Sequence, residues 1–82
     1  MAKYEALRHY LQISNGIEIT LTFQEIEDII GFSLPASAST HRAWWANDIT
    51  HSQGKEWLNA GWNVKNVNLG YEITFSKTRR EI

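Results

Sequence analysis

The strongest constraint on this chain is the crowding of its tryptophans, because all four lie between residues 40 and 62 of an 82-residue sequence. A buried aromatic side chain removes roughly 150–250 Å² from water, and a domain of this length buries only about 60% of its unfolded surface. Four indoles exceed what one such core requires. The sequence therefore predicts a core built on this segment, with at least one tryptophan left to stack on a ligand or to lie in a subunit interface.

Two of these tryptophans, Trp44 and Trp45, are adjacent. Successive side chains point to opposite faces of a strand and diverge by about 100° on a helix. We therefore expect one of the two rings to lie at a surface, with Arg42 and Asn47 beside it. Pattern alone does not assign a secondary structure to residues 41–48.

Composition narrows the class of protein. The chain has no cysteine, which excludes disulfides, thiolate chemistry and cysteine-ligated zinc and fits a reducing cytoplasm. No apolar run approaches the roughly 18 residues of a membrane span, and the first residues do not resemble a signal peptide. We expect one cytoplasmic domain over residues 1–82, with no membrane partner.

Charge is divided unevenly along the chain. The net charge of −1 argues against a protein held on nucleic acid mainly through phosphates. Residues 1–30 carry two Lys or Arg against five acids, whereas residues 31–82 carry six against four. The second half is therefore expected to face anions.

Hydrophobic periodicity predicts a helix over residues 3–13 and a half-buried strand over 17–22. Thr22 and Glu25 have the spacing of a capping box that starts a second helix, and Gly31 ends it in a left-handed conformation. Residues 36–40 are small and polar, which is typical of a turn or a short helix.

The third predicted helix begins at His51, where Thr50 and Gln53 repeat the capping-box spacing, and it ends at Gly61. Gly54 inside this helix indicates close approach by another backbone or by a ligand, since glycine weakens a helix by about 1 kcal/mol. A hairpin follows, with a bulge near Asn66, and residues 77–82 are expected to form a frayed tail.

The order of elements (helix, strand, helix, helix, hairpin), together with the run WLNAGWNV at residues 57–64, resembles the winged helix-turn-helix. The resemblance implies a small α+β domain whose third helix enters a major groove with His51, Ser52 and Lys55 forward. It also implies that Lys65 and the hairpin tip contact phosphate or the minor groove. The segment inserted at residues 41–48 and the low net charge depart from that pattern.

Several short stretches also resemble a family of small bacterial and phage domains of unknown function. They are LPASA at residues 34–38, WWAN at 44–47, His51, and WLNAGW at 57–62. This second resemblance implies no activity.

The side chains around the paired tryptophans suit a base or a nucleotide. An indole stacks on a base for about 1–3 kcal/mol, Asn47 has the amide that pairs with an adenine edge, and Arg42 and free helix amides suit phosphate. In the competing interpretation both tryptophans are core or dimer contacts, and His41 and Asn47 cap backbone. The candidate binding residues are His41, Arg42, Trp44, Trp45, Asn47, His51, Ser52, Lys55 and Lys65.

Catalysis and metal binding are not expected. His41, Asp48 and His51 lack a known zinc spacing, and no G-x-S-x-G turn is present, so we predict a non-enzyme without metal or cofactor. Three classes stay open. They are a winged-helix nucleic-acid binder that acts as a transcriptional or defence-related reader, a homo-oligomeric phage protein that sequesters a small nucleotide immune signal, and a protein-interaction module.

Overall fold

A computed structural model describes residues 3–78 of the chain, and it confirms the predicted α+β class. The helices are α1 (Glu5–Gln12), α2 (Phe23–Ile30), α3 (Ala36–Thr40) and α4 (Ser52–Asn59), and the strands are β1 (Glu18–Thr22), β2 (Trp62–Asn68) and β3 (Glu72–Lys77). The segment that pattern left unassigned contains a 3₁₀ turn, Arg42–Trp45. Lys77 ends β3 instead of beginning a tail, and the rest of the predicted tail, residues 79–82, lies outside the described residues.

The start of α2 is set by its own sequence. The Thr22 hydroxyl accepts the Glu25 N–H at 3.1 Å, and the Glu25 carboxylate accepts the Thr22 N–H at 2.8 Å, which is the predicted capping box. Gly31 ends the helix at φ 85°, a conformation that only glycine adopts without strain. Both boundaries are therefore confirmed.

The start of α4 differs from the prediction, because the expected capping box between Thr50 and Gln53 does not form. Asp48 takes the Thr50 hydroxyl at 2.6 Å and the Thr50 N–H at 2.9 Å. These two bonds close a turn in which the charged Asp48 side chain accepts from both Thr50 groups and orients the Thr50 hydroxyl toward itself. The helix consequently begins at Ser52, with His51 as an N-cap that provides no side-chain bond.

The three strands form an antiparallel sheet in the order β1-β3-β2. Val64 lies opposite Phe75 and Asn66 lies opposite Thr74, so Lys65 is the extra residue of a bulge. This confirms the predicted bulge one position before Asn66. β1, in contrast, pairs with β3 without interruption.

The sheet has a core face and an outer face. Leu21, Ile73 and Phe75 are buried on the core face, whereas Thr20 and Thr74 on the outer face join their hydroxyls at 2.9 Å. Within residues 3–78, each helix falls short of the length and apolarity that crossing a lipid bilayer requires.

Tryptophans form the centre of the core, as predicted. Trp45, Trp57 and Trp62 are at most 2% exposed, and the first two stack with centroids 5.8 Å apart and planes 18° apart. Each buried indole N–H has an acceptor: Trp45 donates to the Ala38 carbonyl at 2.8 Å and Trp62 to the Leu11 carbonyl at 2.9 Å. A buried N–H without a partner would cost about 1–3 kcal/mol, so these bonds fix how the rings are oriented.

Candidate functional site

The chain between α3 and the start of α4 surrounds a pocket of about 440 Å³, which we call the Trp44 pocket. It is lined by Ser37, His41, Ala43, Trp44, His51, Ser52 and Gln53. Four of the nine predicted binding residues, namely His41, Trp44, His51 and Ser52, therefore meet at one place. Sequence reasoning missed the other three, Ser37, Ala43 and Gln53, because only the packing of α3 and the 3₁₀ turn beside α4 brings them together.

Trp44 is the tryptophan that stays partly exposed. Its ring meets Trp45 at 4.7 Å and Tyr4 at 5.7 Å, both in edge-on geometry. Burial raises the pKa of Tyr4, which keeps its phenol neutral against the indole. These two contacts hold the plane of Trp44, and the rest of the ring is an aromatic wall of the pocket.

Trp45 cannot serve the same purpose. It is 2% exposed and lies between Phe23, at 5.4 Å, and Trp57. The expectation that one of the two adjacent rings lies at a surface is confirmed for Trp44, whereas the assignment of Trp45 to a binding surface is wrong because its faces are covered by the core.

The N-terminus of α4 forms another wall of the pocket. The first intrahelical bond runs from the Lys55 N–H to the His51 carbonyl at 2.9 Å, so the amides of Ser52 and Gln53 precede the helical ladder. The helix dipole adds positive potential at this end. The exposed His51 ring has its Nε2 3.7 Å from the Asp48 carboxylate, which is too long for a hydrogen bond.

Asp48 shapes the turn that leads into α4. Hydrogen bonds from the Thr50 hydroxyl and the Thr50 backbone hold the pKa of Asp48 below its ordinary value of 3.8. The carboxylate is therefore charged at neutral pH. Its negative charge lies beside His51 and partly offsets the positive potential at the N-terminus of α4.

A close contact explains Gly54. A Cβ at this position would lie 2.6 Å from the Asp48 carbonyl oxygen and 3.0 Å from that of Ala46, both shorter than side chains tolerate. The predicted close approach is thus confirmed, and the approaching group is backbone. Nearby, the Gln53 side chain donates to the Trp44 carbonyl at 2.9 Å, which ties α4 to the 3₁₀ turn.

Asn47 and Arg42 are bonded to the outer edge of β2. The Asn47 Oδ1 accepts the Val64 N–H at 2.8 Å and the Trp57 indole N–H at 2.9 Å, and its Nδ2 donates to the Val64 carbonyl at 3.0 Å. Arg42 donates to the Val67 carbonyl at 3.0 Å. Neither residue lines the Trp44 pocket. The interpretation in which Asn47 caps backbone describes the structure, and the expected bonds from Asn47 to a base do not.

The two predicted lysines lie on different surfaces. Lys55 is exposed on α4, in line with Ser52 and Asn59, so the outer face of this helix carries one positive charge. The acidic residue of α4, Glu56, is 2% exposed and accepts from the Arg8 Nε at 3.0 Å. That outer face is therefore free of carboxylates.

Lys65 extends over the outer face of the sheet, where its Nζ pairs with the Glu18 carboxylate at 2.5 Å. This is the side of the sheet opposite the core. The structure accordingly does not bring Lys65 to the Trp44 pocket.

Metal binding finds no geometric support in the part of the chain that the structure describes. No group of three or more His, Cys, Asp or Glu side chains is close enough there to hold an ion. The chemistry available at the pocket is aromatic stacking, imidazole hydrogen bonding and anion binding at a helix N-terminus.

Comparison with known proteins gives a family but no function. No curated protein and no solved structure matches the chain. A family match covers nearly the whole sequence and fits the expected likeness to a family of domains of unknown function. The chain belongs to the family described as Domain of unknown function (DUF7662), which matches residues 4–79.

Proposed function

We propose that this chain is a nucleic-acid-binding module of winged-helix type that presents α4 to a duplex. The observation that carries the proposal is the carboxylate-free outer face of α4, formed by Ser52, Lys55 and Asn59. Hydroxyl and amide groups hydrogen-bond to bases or phosphates, and lysine neutralises phosphate.

The order of elements supports this assignment. α4 passes through Gly61, at φ 88°, directly into the β2-β3 hairpin, which is the junction on which the winged-helix resemblance rests. The acids of α2 (Glu25, Glu27 and Asp28) lie on a different helix. Because acids repel phosphate, this charge distribution favours α4 over α2 as the surface nearest a duplex.

The Trp44 pocket adds a second element at the leading end of α4. Free amides at a helix N-terminus bind phosphate, and the exposed part of Trp44 suits a base or a sugar. His41 and His51 supply hydrogen bonds on either side. We assign this pocket to the nucleotide next to the one that α4 contacts.

The proposal is tested by fluorescence anisotropy with a labelled duplex across a salt series. We expect Lys55→Glu to weaken binding about tenfold and to lower the salt dependence by about one phosphate contact. Lys77→Glu makes the same charge change at the end of β3 and serves as the control. Equal losses in the two variants, or no binding of the unmodified chain at low salt, would contradict the assignment to α4.

A second candidate function is supported by the pocket itself, namely sequestration of a small nucleotide signal, as in a phage anti-defence protein. Its volume of about 440 Å³ lies within the range of roughly 300–1,000 Å³ that small-ligand sites occupy.

Salt dependence distinguishes the two functions, because a single nucleotide in the Trp44 pocket would release far fewer counterions than a duplex does. Native mass spectrometry of the purified chain tests for a bound nucleotide. Trp44→Ala is expected to remove that ligand, whereas Tyr71→Ala, an exposed aromatic on the hairpin, should retain it. A nucleotide that is retained equally by both variants would contradict a site on Trp44.

A further inference from the structure

Among residues 3–78, no strand pairs with the outer edge of β1. At the beginning of the strand the Ile17 carbonyl accepts the Lys77 N–H at 2.8 Å, and just after the strand the Phe23 N–H also bonds toward β3. Because bonding direction alternates along a strand, odd-numbered residues face β3. The N–H and C=O groups of Glu18 and Thr20 therefore point away from the sheet.

The far end of this edge is already partly used. The Thr22 N–H is bonded to the Glu25 carboxylate, and Thr22 is the N-cap of α2, a position whose carbonyl accepts the first bond of the helix. The free stretch is thus short, and it has a defined end at the capping box of α2.

The usual devices that protect an edge strand are missing from β1. Natural edges carry lysine, proline, a bulge or a covering segment. β1 reads EITLT and pairs with β3 in unbroken register. Its one charged side chain, Glu18, is bonded to Lys65 across β3, which draws the carboxylate inward over the sheet.

We propose that β1 pairs in antiparallel fashion with β1 of a second copy of this chain, with the two-fold axis at Thr20. In this register Glu18 lies opposite Thr22 of the second copy, and Ile19 lies opposite Leu21 of the second copy. Apolar residues meet on the core side. The Glu18 carboxylate would approach the Glu25 carboxylate that caps α2 of the second copy, and its charge is paired with Lys65 of its own chain. Two three-stranded sheets would join into one sheet of six strands.

Exposed apolar side chains near the start of β1 favour pairing with a second copy of this chain. Ile17 is 75% exposed and Ile13, at the end of α1, is 80% exposed. In the proposed register Ile17 lies next to the start of α2 of the second copy, where Phe23 follows the strand. Because a two-fold axis repeats each contact, both copies would cover their Ile17 in the same way. Pairing with a strand of an unrelated protein would lack this two-fold symmetry, so the reciprocal cover of Ile17 favours a second copy.

The outer face supplies a matched pair of variants. Thr20→Lys places like charges across the two-fold axis, whereas Thr74→Lys places the same side chain on the central strand. Both variants lose the same Thr20–Thr74 hydroxyl bond, so they differ mainly in distance from the axis. Analytical ultracentrifugation over a concentration series should show a dimer for the unmodified chain. We expect the dimer dissociation constant to rise about tenfold with Thr20→Lys and to change about twofold or less with Thr74→Lys.

Crosslinking tests the register directly, because the chain has no cysteine of its own. Directly opposite residues of a hydrogen-bonded antiparallel pair have Cα atoms about 5.5 Å apart, within the range of roughly 4.4–6.8 Å found in disulfides. Under mild oxidation Thr20→Cys should give a covalent dimer, and Thr74→Cys should not.

Three results would overturn the proposal: a chain that stays monomeric at the highest concentration reached, equal effects of the two lysine variants, or crosslinking through Thr74→Cys instead of Thr20→Cys. Circular dichroism of each variant establishes that the fold is retained. The surface involved is separate from α4 and the Trp44 pocket, so the outcome does not depend on which ligand the chain binds.

Discussion

The two edges of the sheet differ in what the chain does with them. The outer edge of β2 is covered by residues 42–47, which we call the covering segment, and these supply partners for the Val64 amide and for the Val64 and Val67 carbonyls. Within residues 3–78, no such cover bonds the outer edge of β1 at Glu18 and Thr20. The comparison shows that the irregular chain between α3 and α4 protects one edge, and the proposed pairing between two copies uses the other.

The covering segment also shapes the Trp44 pocket. Trp44 lies within it, and the backbone at Ala46 and Asp48 is pressed against Gly54 of α4. One stretch of chain therefore closes a sheet edge on one side and builds a pocket on the other. A change that releases this stretch should affect both.

The largest effect is expected from Asn47→Ala, which removes the cover of β2 at its centre. The variant leaves the Trp57 indole N–H without a partner, although Trp57 is 0% exposed. A buried unpaired donor costs about 1–3 kcal/mol, and the loss of the bonds to Val64 adds to this. We expect the free energy of unfolding to fall by about 3 kcal/mol, measured by urea denaturation with tryptophan fluorescence.

Asn63→Ala is the control for this experiment, because Asn63 donates only to the exposed Thr78 hydroxyl, at 3.3 Å. It should change stability by about 0.5 kcal/mol or less. Similar losses in the two variants would mean that the cover of β2 contributes no more than an ordinary surface contact.

A slightly smaller effect is expected from Gly54→Ala, which pushes the covering segment off α4. In most helices this change stabilises by about 1 kcal/mol. Here the new Cβ would lie 2.6 Å from the Asp48 carbonyl oxygen, so we expect a loss of about 2 kcal/mol in thermal or urea unfolding. Lys55→Ala on the exposed face of the same helix should be nearly neutral, and a stabilising Gly54→Ala would show that the contact relaxes freely.

Arg42→Ala tests the end of the cover. Its one bond reaches the Val67 carbonyl at an exposed site, where water can replace it, so the loss should be about 0.5–1 kcal/mol. If the cover is released as a unit, the loss in the double variant with Asn47→Ala should be smaller than the sum of the two single losses, because the first substitution already frees the second contact. Strict additivity in a double-mutant cycle would instead describe two independent contacts.

The smallest effect on stability is expected at acidic pH. Because hydrogen bonds from Thr50 lower the folded-state pKa of Asp48, its stabilisation is complete above pH 3.8 and is lost as the pH falls through the folded-state pKa. Asp48→Asn should therefore make the fall in stability below pH 3.8 less steep. Thr50→Val, which retains only the backbone bond, should give an intermediate slope. An unchanged slope in Asp48→Asn, followed by urea midpoints across pH, would contradict this role.

Features that depend on neighbouring residues could be predicted from the sequence. The capping box of Thr22 and Glu25 lies within four residues, and the bulge near Asn66 shows as a break in alternation. Gly54 also correctly indicated a close approach, since few requirements other than close packing explain a glycine inside a helix. For the capping box and the bulge the physical cause lies within one turn or one strand, and for Gly54 it lies in the segment just before α4, at Ala46 and Asp48.

Features that depend on distant residues could not be predicted. Asn47 is held by Trp57 and Val64, 10 and 17 positions away, and no local pattern records those bonds. The second capping box was wrong because Asp48, outside the motif, competes for Thr50. Spacing showed that one of Trp44 and Trp45 reaches a surface, but only the 3₁₀ turn determines that it is Trp44.

The close contact between Gly54 and the backbone at Ala46 and Asp48 bears on how a ligand would bind. Residues on both sides of it, Trp44 before and His51 after, take their positions from a contact that exists before any ligand arrives. A ligand of the kind proposed above would meet backbone on both sides that is already held in place, so little backbone entropy would be lost on association. Such recognition would be preorganised, and its specificity would follow from a fixed shape instead of from closure around the guest.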